Sequence, residues 1–214
     1  MNQPELVNRA GLYNLLRALH TYPLNEAVLE TVLNLTVEAD SPLMSGIAEM
    51  QSRLQGAPSL KEATEQLNIE MTRLFEGPGL PIAPPYASYY LNDQQIMGPS
   101  AIAARQFYLQ WRALPDSEIR LPDDHIALEL GFLAHLAQQA AHTENESDRL
   151  DALTASREFI QNHLKPWLPS FIAAQAKVQV DAFFIGLTRL LHEILVTDLF
   201  WLDSIVNNPQ EILS

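Results

Sequence analysis

The chain has 214 residues, no cysteine, and 26 acidic against 13 basic residues, for a formal net charge of −13. Without cysteine there is no disulfide framework, no thiolate nucleophile and no cysteine-based metal site. The acidic balance repels phosphate backbones and anionic lipid, which sets nucleic acid and membrane surfaces aside and favours a basic partner, while also serving solubility. Hydrophobic residues make up 47% of the chain, enough for a sizeable core. Charged residues are 18%, below the roughly 25% of ordinary soluble domains, which leaves more neutral surface for a partner. Met1-Asn2-Gln3-Pro4-Glu5 lacks the basic-then-apolar pattern of a signal peptide. No apolar run reaches the roughly 20 residues of a membrane span. A cytoplasmic location is the expectation.

Helical periodicity dominates. Leu6, Ala10, Tyr13, Leu16 and Leu19 recur at three- and four-residue steps and predict a helix ending before Pro23. A second helix is expected over residues 24–36 on Val28, Val32 and Leu35. Ser41-Pro42 reads as a helix start, Ser capping and Pro in the first turn, ahead of the stripe Ile47, Met50 and Leu54. Ser59-Leu60-Lys61-Glu62 is a capping box opening a helix that carries Leu60, Ala63, Leu67, Met71 and Leu74.

The pattern stops over residues 76–99, where Pro and Gly recur around Tyr86, Tyr89 and Tyr90. Proline restricts its own and the preceding backbone, so no helix is expected to run through this segment. Asn92-Asp93 offers a very short hairpin turn. A long segment without helical pattern inside a domain is more often functional than idle. Helices resume over residues 100–114, break at residues 115–122, and restart with Asp123 as N-cap and Ile126, Leu130, Leu133 and Ala137 on one face. Further helices are expected over residues 146–164, from Ser170, and over residues 178–203. The reading is an all-α, single-domain helical bundle with one long Pro/Gly/Tyr-rich loop. Residues 115–122 are a candidate hinge for helix exchange, so a monomer and a domain-swapped dimer are both open.

Catalytic signatures are few. There is no Gly-x-Ser-x-Gly elbow and no phosphate-binding loop, and His192-Glu193 lacks the second His of a zinc-protease helix. His125 and Glu129 share a helix face and are the one pair with metal-ligand spacing, but no other helix supplies the remaining ligands of a di-metal bundle. A neutral His125 is favoured in the first helical turn, where a cation would meet the positive end of the dipole. No cofactor is expected from the residues. The enzyme reading that remains is a metal-dependent helical hydrolase using His125 and Glu129; a structural assembly subunit is a further alternative.

Two separate motifs remain. The first is Glu70-Met71-Thr72-Arg73-Leu74-Phe75-Glu76-Gly77-Pro78-Gly79, continued by Pro84-Pro85-Tyr86-Ala87-Ser88-Tyr89-Tyr90-Leu91. The second is Pro122-Asp123-Asp124-His125 with Glu129-Leu130. Together they resemble the motifs of the TorD/DmsD family of maturation chaperones for molybdenum-containing oxidoreductases. The resemblance implies an all-helical, non-catalytic cytoplasmic protein. It would bind the twin-arginine signal peptide of a precursor enzyme, and often the mature part, until the cofactor is inserted and the precursor is released for export. It implies peptide contacts by Leu74, Phe75, Pro85, Tyr86, Asp124 and His125, with Met71, Arg73, Gly77, Pro78, Ser88, Tyr90, Asp123 and Glu129 supporting them. Asp124 would then meet an incoming guanidinium. GTP binding is implied by the resemblance alone; no motif here supports it.

Overall fold

The computed structural model describes residues 3–77, 81–116 and 119–208. Its regular structure is helical: α1 (Gln3–Leu19), α2 (Glu26–Leu33), α3 (Met44–Gln55), α4 (Leu60–Met71), a π-helical turn (Thr72–Glu76), α5 (Ala87–Leu91), α6 (Pro99–Gln110), α7 (Ile126–His142), α8 (Glu146–Phe159), a second π-helical turn (Ile160–Leu164), α9 (Leu168–Gln175) and α10 (Ala182–Asn207). The all-α class expected from periodicity is the one observed, and no strand occurs among the described residues. None of these helices is long and apolar enough to cross a membrane.

The chain divides into two compact units. The first takes the described residues within Met1–Arg17, Pro85–Pro169 and Thr197–Ser214; the second takes Ala18–Pro84 and Ser170–Val196. The proposed hinge at residues 115–122 lies inside the first unit, and its Ser117 and Glu118 fall outside the described residues.

The first unit is built around α7, which is buried on almost every side, from Ile126 and Leu130 through Phe132 to Ala141. A helix that is apolar all round belongs in the centre of a core. Phe132 lies edge-on to Phe159 of α8 at 4.7 Å, and Tyr108 of α6 packs on Phe132 at 5.0 Å. In the same unit Arg9 of α1 forms a two-pronged pair with Asp198, Nε to Oδ1 at 2.6 Å and Nη2 to Oδ2 at 2.9 Å. Tyr13 donates to the same carboxylate, Trp201 lies 5.8 Å from the guanidinium, and the two charged side chains are only 7% and 9% exposed.

In the second unit α3 meets the start of α10 at two glycines. A Cβ on Gly46 would sit 2.7 Å from the Gly186 carbonyl oxygen, and one on Gly186 would sit 2.6 Å from that of Gly46. Nothing larger fits at that separation. Asn68 of α4 pairs with both backbone groups of Leu24, accepting at 2.8 Å and donating at 2.9 Å, and so docks the segment ahead of α2.

Several boundaries differ from the sequence reading. Ser59 caps α4 as expected, accepting the Glu62 N–H at 3.1 Å. Ser41-Pro42 forms a turn instead of a helix start: Ser41 Oγ accepts the Leu43 N–H at 3.3 Å, and α3 begins at Met44. The 76–99 segment contains a helix after all. Pro84 and Pro85 constrain only what precedes α5, and Ala87–Leu91 is free of proline. Asn92-Asp93 turns no hairpin. Asn92 Oδ1 instead accepts from Ser100 Oγ at 2.9 Å, while Asp93, Gln94 and Met97 adopt positive φ. The N-cap of α7 is His125, not Asp123.

Candidate functional site

The six residues implied to contact peptide fall in both units: Leu74 and Phe75 in the second, Pro85, Tyr86, Asp124 and His125 in the first.

In the second unit, α4 passes into the Thr72–Glu76 π turn, where one extra residue per turn lets consecutive side chains face inward. Leu74 is wholly buried and Phe75 nearly so. Phe75 lies edge-on to Phe184 at 5.7 Å and tilted against Phe171 at 5.8 Å. The Ala83 N–H donates to Leu74 O at 2.8 Å. Met71 is buried beside this turn, and Arg73 is exposed. Arg73 grips Glu70 through Nε and Nη2 at 2.7 and 2.6 Å and donates to Gln179 O. That contact, with the Asp181 N–H, holds the Glu70 carboxyl below its usual range. Gly77 closes the turn by donating to Thr72 O, and Pro78 lies outside the described residues.

In the first unit, two segments distant in sequence pair as an isolated antiparallel bridge between Tyr86 and His125. The Ile126 N–H donates to Pro85 O at 2.9 Å, and the Ala87 N–H donates to Asp124 O at 3.1 Å. The pairing holds residues 124 and 125 in extended backbone, with His125 at φ −71° and ψ 136°. The helix therefore cannot begin before Ile126, which is why Asp123 does not cap it. His125 caps with its ring: Nδ1 accepts the Ala127 N–H at 3.0 Å. A nitrogen that accepts carries no proton, so this imidazole is neutral, in keeping with the positive end of the helix. Asp123 instead faces Arg105 at 3.2 Å, and its carbonyl accepts from Tyr108. The Tyr86 ring, half-exposed, rests edge-on against His125 at 5.1 Å.

Beneath this bridge lies a buried polar cluster. Asp124 is fully buried, and its Oδ2 accepts the Ser88 N–H at 2.6 Å. Asp124 is closed to solvent, so a guanidinium reaches it only after local opening. Glu129 is also fully buried, and Trp167 Nε1 donates to its Oε2 at 3.3 Å. Tyr90 stacks on the Trp167 ring at 5.7 Å. Burial, then the Asp124 charge, push the Glu129 carboxyl well above the usual range, which favours its protonated form. Asp124 Oδ1, Glu129 Oε1 and Ser88 Oγ have no hydrogen-bond partner among the described residues. Trp167 escaped the sequence reading: nothing local ties it to a glutamate 38 positions earlier.

The His125 Nδ1 lone pair is taken by backbone, and burial favours the protonated form of Glu129. Among the described residues no group of three or more His, Asp or Glu side chains is placed to hold an ion.

The sequence profile of the nitrate reductase delta subunit family matches residues 38–173. The chain belongs to this family. Within it, the TorD chaperone of Vibrio cholerae serotype O1 (Classical Ogawa) is 31% identical over 175 residues, covering 76% of this chain and 79% of its own. The TorD chaperone of Vibrio parahaemolyticus is 25% identical over 194 residues, covering 86% and 89%. A crystal structure described as a redox enzyme maturation protein, from Archaeoglobus fulgidus, superposes with a TM-score of 0.53 at 20% identity, covering 86% of this chain and 92% of that one. That likeness concerns the fold. Curated relatives of this delta-subunit-family chain bear the name of chaperones, and the chain is a TorD-type chaperone, not an enzyme.

Proposed function

We propose that the protein is a cytoplasmic chaperone for a molybdenum-containing oxidoreductase precursor. It binds the twin-arginine signal peptide, the mature part, or both, holds the precursor until its cofactor is inserted, and then releases it for export. The observation that carries the reading is the Tyr86–His125 bridge. It mounts a half-exposed aromatic ring on backbone that is fixed from below by Asp124 and Ser88. Aromatic anchors on a rigid support are what peptide recognition uses, because little conformational entropy is lost on binding. Pro85 and His125 complete this mount. Asp124 acts by positioning the Tyr86 segment, while Leu74 and Phe75 shape the second unit's contribution from beneath its surface.

Calorimetric titration with a twin-arginine signal peptide of a molybdenum oxidoreductase from the same organism tests the reading. Saturable binding is expected, and Tyr86→Ala weakens it without lowering the melting temperature. Phe75→Ala does not isolate binding in this way, since a nearly buried ring of this kind contributes about 3–5 kcal/mol to stability. Absence of binding to any such peptide overturns the signal-peptide reading and leaves recognition of the mature enzyme.

A further inference from the structure

Away from the motif residues, α6 and α8 of the first unit enclose a groove of about 330 Å³, within the range of ligand sites. One wall is aromatic, with Phe107 and Trp111 one helical turn apart near the end of α6; the other is acidic, with Asp151 and Glu158 on α8 and Thr154 between them. Phe107 is fixed from behind by Phe159 at 5.5 Å and His163 at 4.9 Å. Trp111 is half-exposed and has no ring contact or hydrogen bond through its side chain among the described residues. Asp151 and Glu158 are exposed and make no side-chain hydrogen bond or ion pair there. The two arginines of α8 do not compensate them. Arg149 donates to the carbonyls of Ala140 and Thr143, and Arg157 pairs with Asp203.

An aromatic face opposite an uncompensated carboxylate is complementary to a guanidinium, which stacks flat on the ring and offers parallel N–H donors to the acid. A lysine ammonium is more strongly hydrated and has no plane to stack, so it gains less. The two carboxylates are two helical turns apart, about 10 Å along the axis. Adjacent arginines carry long flexible stems, which let both guanidiniums turn to one side and reach groups spaced about this far apart. We propose that this groove docks the paired arginines of the signal peptide, Trp111 and Phe107 receiving the guanidinium faces and Asp151 and Glu158 their donors. The assignment rests on the signal-peptide reading above. It gives the arginines acidic partners that are open to solvent, whereas Asp124 is closed off and already bound to Ser88.

The test compares a fluorescently labelled twin-arginine signal peptide with its twin-lysine counterpart on three proteins: wild type, the Asp151→Asn, Glu158→Gln double variant, and Trp111→Ala. All substitutions are on exposed or half-exposed side chains, and thermal melts verify folding. Wild type is expected to prefer the arginine peptide. Both variants lose about tenfold in affinity for it, the size of two partly exposed ion pairs in the first and of one cation–π contact in the second. They bind the lysine peptide almost as before, so the preference collapses. Tyr86→Ala, in contrast, weakens both peptides alike. A preference that survives in the double variant and in Trp111→Ala overturns the groove assignment and leaves the signal-peptide reading standing. Failure of wild type to bind either peptide overturns both.

Discussion

Asp124 reaches 36 residues back along the chain to accept the backbone N–H of Ser88 at 2.6 Å, and both groups are buried. Asp124→Ala strands that N–H without an acceptor, at a cost of about 1–3 kcal/mol. Asp124→Asn keeps an oxygen in place and is expected to recover most of the loss. Denaturant unfolding of the two variants, with amide exchange followed at Ser88, checks this. Equal losses in both would show that charge, not the acceptor, matters at this position.

Glu129 makes stability depend on pH. Its carboxyl is raised by burial and then by Asp124, so the folded protein keeps a proton that the unfolded chain releases near pH 4.3. Between those two values the unfolded state binds fewer protons, and stability falls with rising pH by up to about 1.4 kcal/mol per unit. The contribution is at its fullest below the unfolded value and is lost as pH climbs to the folded one. Glu129→Gln retains an acceptor for Trp167 and cannot ionise. Its unfolding curves are expected to lie increasingly above wild type as pH rises past the unfolded value; parallel curves would refute the raised carboxyl.

Gly46 and Gly11 are both helical, yet alanine should act in opposite directions. At Gly46 the new methyl meets backbone at 2.7 Å, and overpacking of this kind costs about 1–3 kcal/mol. At Gly11 nothing lies within 4 Å, so alanine gains about 0.5–1 kcal/mol from reduced backbone freedom in the unfolded chain. Melting temperatures of the two single variants decide the matter.

Breaking the Arg9–Asp198 pair from one side leaves a buried charge alone. Asp198→Leu is expected to cost about 3–5 kcal/mol, and adding Arg9→Met should restore much of it. A double variant no better than the single one would mean that Tyr13 and the packing around the pair, not the stranded charge, set the cost.

What the sequence made legible is what short-range spacing encodes. The stripe Leu60, Ala63, Leu67, Met71 and Leu74 became, from Ala63 onward, a buried face because each position is set by its neighbours three or four residues away. Ser59 capped as read for the same reason. The start of α7 was missed by two residues because Tyr86, far earlier in the chain, holds Asp124 and His125 extended. The pairing of Glu129 with Trp167 and the packing of Phe75 on Phe171 and Phe184 join positions far apart in the chain. No local pattern announces such partners. The motif residues themselves were found by resemblance, and the α6–α8 groove was visible only once two helices with no common motif stood side by side.

The Arg9–Asp198 pair also carries a timetable. Its partners are separated by 189 positions, and a ribosome adding about 5–20 residues per second needs roughly 10–40 s to travel from one to the other. For that interval the first helix is without the carboxylate that matches its Arg9 cation. The first unit therefore closes only near the end of translation, and a chain stalled before Asp198 lacks the carboxylate that holds its beginning in place.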